Sequence, residues 1–226
     1  MLERAPWVPK AASAFGELRG SAEQSRAGIW VCERHLQMAT VMAYRGQRTA
    51  LSARLWEKYG LKLPEGPRRV ANGTAAIMGL GPRTFLFQRE ARSSLEPELA
   101  QVFGDTAAVT DQSDAYAVLR LAGPRVRDLL EKCVSIDLHD KVFTPGSVAS
   151  TSCAHMGVIV WRLDDQTGLA RFEMAVFRSF ARSLWHSVAE SAAEFGLAVG
   201  IAAWVLSEAC RSSKCDDGRQ KQCHIG

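Results

Sequence analysis

The chain has 226 residues, of which 47% are hydrophobic and 23% charged, and a formal net charge of +4. High apolar content at low net charge excludes disorder as the dominant state, and the length suffices for a real core without staples. The longest apolar stretch, Phe195 to Leu206, is too short and too glycine-interrupted for a membrane helix.

Residues 1–26 carry Glu3, Pro6 and Pro9 with no sustained period, so they read as an N-terminal arm without a secretory signal. The expectation is a soluble, cytoplasmic chain. Two strand candidates follow, Gly28 to Cys32 and Met38 to Tyr44, both rich in β-branched and large residues. From Arg48 to Tyr59 the period changes to helical, with Leu51, Leu55, Trp56 and Tyr59 on one face. Gly60 stands at the C-terminal cap position. Thr74 to Leu80 and Thr84 to Gln88 predict a hairpin around Gly81-Pro82-Arg83. A short helix from Leu95 to Phe103 carries Glu96 and Glu98 where they complement its dipole.

The second half repeats the alternation. Ala115 to Leu121 predicts a strand, and Gly123-Pro124 a switch into a helix that buries Val126, Leu129, Leu130 and Cys133. Strands are expected at 147–153, 157–163 and 169–177. In the last, Phe172, Met174 and Val176 face the core while Arg171 and Glu173 point out. A long helix starts near Arg178, with an apolar stripe of Phe177, Phe180, Leu184, Val188, Ala192 and Phe195. Irregular alternation with hairpin-length links predicts an α+β fold with a mostly antiparallel sheet and flanking helices. The expected organisation is an arm over 1–26, a body over 27–198 and a flexible cysteine-containing tail over 199–226.

The sequence lacks the glycine-rich dinucleotide and phosphate loops, the nucleophile elbow and the zinc-protease motif. Cys32, Cys133 and Cys153 lie in apolar segments and read as small core residues. Cys210, Cys215, Cys223 and His224 form a metal-like cluster, but adjacent Cys223 and His224 suit one tetrahedron poorly, so no metal site is expected. His35, His139 and His186 read as surface residues and His155 as a turn residue. Asp111, Asp114, Asp137 and Asp140 read as turn and cap residues, since acid–base work would need one of them buried beside a cleft.

The run from Thr110 to Trp185 carries Asp111-Gln112-Ser113, Leu121-Ala122-Gly123-Pro124, Ser135-Ile136-Asp137-Leu138 and Arg178-Ser179-Phe180-Ala181. With TALSARLWEKYGLKLPEGPRR and ANGTAAIMGLGPRTFLF before it, this run resembles the γ subunit of heterotetrameric sarcosine oxidase over roughly residues 28–198. The resemblance implies a relative of the folate-binding domain of the glycine-cleavage aminomethyltransferase (T-protein). It implies partners in α, β and δ subunits, with oxidation of sarcosine to glycine, hydrogen peroxide and formaldehyde or 5,10-methylenetetrahydrofolate. FAD, FMN, NAD, tetrahydrofolate and zinc then belong to the other subunits. This chain is expected to hold no catalytic, cofactor or metal site. Arg178, Arg182 and Trp185 are the expected interface residues, as guanidinium and indole groups suited to a partner surface. The alternatives are a stand-alone folate-binding aminomethyltransferase-like protein and a γ-like subunit of an oxidase or dehydrogenase for another N-methylated amino acid. The tail inherits nothing from the resemblance.

Overall fold

A computed structural model describes residues 13–19, 26–73, 75–90, 94–165 and 168–200. The chain runs β1 (Ile29–Arg34), β2 (Gln37–Ala43), α1 (Arg48–Tyr59), β3 (Arg69–Ala71), β4 (Ala75–Gly79), β5 (Thr84–Arg89) and α2 (Glu96–Phe103). It continues through β6 (Ala107–Asp111), β7 (Tyr116–Ala122), α3 (Val126–Cys133), β8 (Val148–Cys153), β9 (Met156–Arg162), β10 (Arg171–Phe177), α4 (Ala181–Ala192) and β11 (Leu197–Val199). The expected helices and strands are all present. The additions are β3, β6 and β11, short or polar-rich strands whose pairing is supplied by neighbours rather than by their own period.

These strands make two sheets instead of one. A six-stranded sheet has the order β11-β1-β7-β10-β9-β8, and a five-stranded sheet the order β3-β4-β5-β2-β6. Every pairing is antiparallel except β1 with β11. The two-residue alternation gives each sheet two apolar faces. On the six-stranded sheet, Leu119, Leu121, Phe172 and Met174 pack under Leu129 of α3 and Leu184 and Val188 of α4. On the five-stranded sheet, Val41, Ile77, Phe85 and Phe87 pack under Leu51 and Leu55 of α1 and Leu99 and Phe103 of α2. The remaining faces meet each other through Met38, Met78 and Leu86 on one side and Val118, Ile159, Trp161 and Ala175 on the other. The architecture is therefore helix–sheet–sheet–helix.

Three expectations need correction. Trp56, expected on the apolar face of α1, is exposed, and only Leu51 and Leu55 of that helix are buried. Arg171 and Glu173 do lie on the face opposite Phe172, Met174 and Val176, but the second sheet covers that face, and Glu173 is only 1% exposed. Phe177 and Phe180 do not join the stripe of the last helix. Arg178–Phe180 form a 3₁₀ turn and α4 begins at Ala181, so its buried stripe is Ala181, Leu184, Val188 and Ala192. Both phenylalanines stay half exposed, and Phe177 stacks on Tyr116 with ring centroids 5.0 Å apart. Within the span expected as an arm, Phe15 is buried in the core beneath α3 and α4, and the Ala14 N–H donates to Glu33 Oε1 at 3.1 Å.

The helical caps follow the chemistry expected of them. Gly60 takes a left-handed conformation (φ 62°) and donates its N–H to the Trp56 carbonyl. Gly123 is tighter still. Its φ is +128°, and a Cβ there would sit 2.4 Å from the Gly28 carbonyl oxygen. Gly28 accepts from the Arg125 N–H at 3.0 Å and donates to the Phe195 carbonyl at 2.9 Å, so this crossing ties the entry of β1 to the start of α3 and to the approach to β11. Gly123→Ala is expected to cost roughly 2–3 kcal/mol through backbone strain and overlap. Gly46→Ala, where φ is positive but space is open, should cost only about 1 kcal/mol. Urea denaturation of the two variants checks the difference.

Candidate functional site

At one end the layer between the sheets opens into a polar cavity of about 260 Å³. The six-stranded sheet contributes Arg34 of β1, Arg120 of β7, and Arg171 and Glu173 of β10. The five-stranded sheet contributes Arg69 and Ala71 of β3, Ala75 and Ala76 of β4, and Gln88 and Arg89 of β5. Arginines and a glutamate stand here because their strands present apolar residues to the helices and their other face to the second sheet.

Glu173 is the centre of the arrangement. In register, Trp161 on β9 and Arg120 on β7 are its direct neighbours. The Arg120 guanidinium donates Nε to Glu173 Oε1 at 2.9 Å, with its Nη2 2.7 Å from the same oxygen. Arg34 Nε lies 3.3 Å from Oε1, and the buried Trp161 indole donates to Oε2 at 2.8 Å. Both carboxylate oxygens are thus engaged by the protein itself. Arg34 also pairs with Glu90 at the cavity rim. The Cys32 thiol, opposite Arg120 in the register, is pushed up in pKa by burial.

The other arginines are employed differently. Arg89 makes a two-pronged pair with Glu98 of α2 at 2.8 and 3.2 Å and holds that carboxyl below its ordinary range. The Tyr59 phenol donates to Glu98 as well, at 2.8 Å. Burial, reinforced by that bond, raises its pKa. Arg171 directs Nε and Nη2 at the Asp164 carbonyl, 3.0 and 2.7 Å away. Arg69 makes no side-chain hydrogen bond or ion pair among the described residues, and its buried Nε has no partner. Burial lowers its pKa. No serine, threonine, histidine, cysteine or lysine lines the cavity among the described residues.

Of the residues expected at an interface, Arg178 and Arg182 are exposed, on the 3₁₀ turn and in the first turn of α4, and exposed Phe177 and Phe180 accompany them. Trp185 is half-buried and packs against the core beneath α3 and α4, which sets it apart from the other two. His35, His139, His155 and His186 are exposed. Ala154 and His155, with φ of 46° and 67°, form the β8–β9 turn.

The aspartates of the sequence motifs serve loops. Asp111 Oδ1 accepts from the Ser113 N–H at 2.9 Å and the Ser113 hydroxyl at 2.6 Å. Burial works to raise the Asp111 carboxyl, but these bonds outweigh it and bring it below its ordinary value. Asp137 accepts from the His139 N–H at 2.8 Å, and Asp140 pairs with Arg127 and Arg162. Among the described residues no group of three or more His, Cys, Asp or Glu side chains is placed to hold a metal ion. Cys210, Cys215, Cys223 and His224 lie outside the described residues.

The cavity residues were missed in the sequence because a charge on the second face of a strand ordinarily reads as solvent-facing. The available signal was that Arg34, Arg120, Arg171 and Glu173 all fall on strands whose neighbours are strongly apolar. Glu173→Gln removes the counter-charge of two enclosed guanidinium groups and is expected to cost about 3–5 kcal/mol. Glu17→Gln, in an exposed pair with Arg19, should leave the denaturation midpoint in place. Equilibrium urea unfolding compares them.

The GCVT N-terminal domain family matches residues 84–208. Sarcosine oxidase subunit gamma of an Arthrobacter species is 33% identical over 150 residues, which is 65% of this chain and 73% of the relative. The same subunit of Corynebacterium sp. (strain U-96) is 30% identical over 142 residues, 62% of this chain and 67% of the relative. Among solved structures, heterotetrameric sarcosine oxidase from Corynebacterium sp. U-96, in complex with pyrrole 2-carboxylate, superposes with a TM-score of 0.67 at 25% identity. That match covers 77% of this chain and 89% of the other. The glycine cleavage system aminomethyltransferase T from Bartonella henselae shares the fold at a TM-score of 0.55 and 17% identity, over 78% of this chain and 48% of its own. No helix among the described residues is long and apolar enough to cross a membrane. With a domain match across more than half its length and γ-subunit relatives covered over two thirds or more of theirs, the chain belongs to the sarcosine oxidase γ-subunit family, within the GCVT N-terminal domain family.

Proposed function

We propose that this chain acts as the γ subunit of a cytoplasmic heterotetrameric sarcosine oxidase, assembling with α, β and δ subunits and contributing no active site of its own. On this reading the complex demethylates sarcosine oxidatively, and the flavins, NAD, tetrahydrofolate and zinc are held by the other chains. The observation that carries it is the state of Glu173. It is the one buried carboxylate among the described residues, and two guanidinium groups and an indole N–H hold its oxygens. It acts as a counter-ion within the fold, not as an acid or base presented to a substrate. Exposed Arg178 and Arg182, with exposed Phe177 and Phe180 nearby, favour this end of the molecule as a partner surface: apolar rings supply area and guanidinium groups supply direction.

Co-expression of a tagged chain with the α, β and δ subunits should yield a four-chain complex on purification. The double variant Arg178→Glu/Arg182→Glu should lower recovery of the partners about tenfold or more, the scale expected when hot-spot guanidinium groups are lost, with the circular dichroism of the chain unchanged. A monodisperse monomer that captures neither α nor β would sink the assignment.

The match to the GCVT N-terminal domain family favours a second reading, in which this chain itself holds tetrahydrofolate. Calorimetric titration of the full chain with tetrahydrofolate separates the two. Saturable binding supports the second reading, and no heat of binding is the outcome expected of an assembly subunit.

A further inference from the structure

We propose that the cavity between the sheets is a binding site for a small oxyanion, a carboxylate or a phosphate, received by the Arg69 guanidinium. This assigns the chain a ligand site separate from its role in assembly.

The charges around the cavity do not cancel. Five arginines line it against the carboxylates of Glu90, Asp164 and Glu173. Arg34 and Arg120 are committed to Glu173, Arg34 also to Glu90, and Arg89 to Glu98 from outside the cavity. Counting Glu98, the set retains one positive charge. The hydrogen bonds locate it. Arg171 donates to the Asp164 carbonyl. The Arg69 side chain donates to nothing among the described residues, and its Nε is closed off from solvent. The terminal Nη groups of Arg69 are therefore the donors left to the cavity.

A guanidinium that is largely enclosed and unpaired is costly, and an anion on its planar fork relieves that cost. The fork matches the two oxygens of a carboxylate or phosphate, and lysine-type point recognition would not select them in the same way. Space is provided by small residues. Ala71, Gly73, Ala75 and Ala76 form one wall, and the resulting 260 Å³ cavity opens to solvent. Drug-sized ligands usually occupy roughly 300–1,000 Å³, so the volume suits a small metabolite better than a large cofactor. The positive lining disfavours a cation.

The test is calorimetric titration of the full chain, alone and in its complex, with inorganic phosphate, acetate and glycolate at low ionic strength. The expected result is saturable one-to-one binding of at least one anion, with the arms distinguishing phosphate from carboxylate. Binding should weaken about tenfold or more in Arg69→Gln, as expected for loss of a charge-assisted pair. Arg69→Lys keeps the charge and removes the fork. It should weaken binding without changing the circular dichroism, which covers the case in which the glutamine variant misfolds. Choline serves as the cationic probe and should give no heat. Absence of saturable binding by any anion, or equal affinity in the wild type and a folded Arg69 variant, overturns the proposal. So does protection of Arg69 from phenylglyoxal by the partner subunits but not by the anions, because that outcome assigns the guanidinium to a partner's carboxylate.

Discussion

The two sheets can stack only because the Glu173 carboxylate is neutralised where they meet. A sheet buried on both faces must be apolar on both or must pair every charge it encloses. The six-stranded sheet combines these solutions. Val118, Ile159, Trp161 and Ala175 form the apolar part of its inner face, and Glu173, Arg120 and Arg34 form the paired part beside it. Strand register places Trp161, Glu173, Arg120 and Cys32 in one row across β9, β10, β7 and β1. The pair is therefore created by the pleat itself, and a one-residue slip of β10 would turn Glu173 under the helices and strand both guanidinium groups. The ion pairs specify the register at least as much as they stabilise it.

The passages between sheets explain the polar motifs. The chain crosses from the six-stranded to the five-stranded sheet between β1 and β2, and returns between β6 and β7. These crossings lie side by side. The Gln112 N–H donates to the Met38 carbonyl, the Met38 N–H to Ser113 Oγ, and the Ser113 hydroxyl lies 3.0 Å from Gln37 Oε1. Asp111 then holds Ser113 through its hydroxyl and backbone N–H. Asp111-Gln112-Ser113 is thus a device for satisfying backbone groups where ladder pairing stops.

Much of this was legible in the sequence, for identifiable reasons. Helix α1 announces itself through Leu51, Leu55 and Gly60, and the β4–β5 hairpin through its turn residues, because each signal is local. The antiparallel character followed from short links. The division into two sheets did not, since no local pattern records which strand a given edge will meet. The same gap hid the cavity. Arg69 and Glu173 are distant in the chain, and only the stacking of β3 over β10 brings their faces into one enclosure. Phe177 and Phe180 show the converse limit: their spacing continues the helical stripe, yet the backbone turns as a 3₁₀ segment there and leaves both rings at the surface.

The proposed partner surface and the proposed anion site place different demands on this framework, and the fold keeps them apart. The partner-facing candidates sit on the turn into α4 and in its first turn, while the arginine cavity lies between the sheets at the ends of β3 and β10. Between the two lies β10 itself, which ends at Phe177 and carries both Glu173 and Arg171. The strand is short and paired along its length to β7 and β9. A displacement at the Phe177 end cannot be absorbed by a loop within it, and is passed along the ladder toward Glu173. The cost of breaking the Glu173 network resists that movement. The Glu173 ion row thus stands on β10 between the two regions.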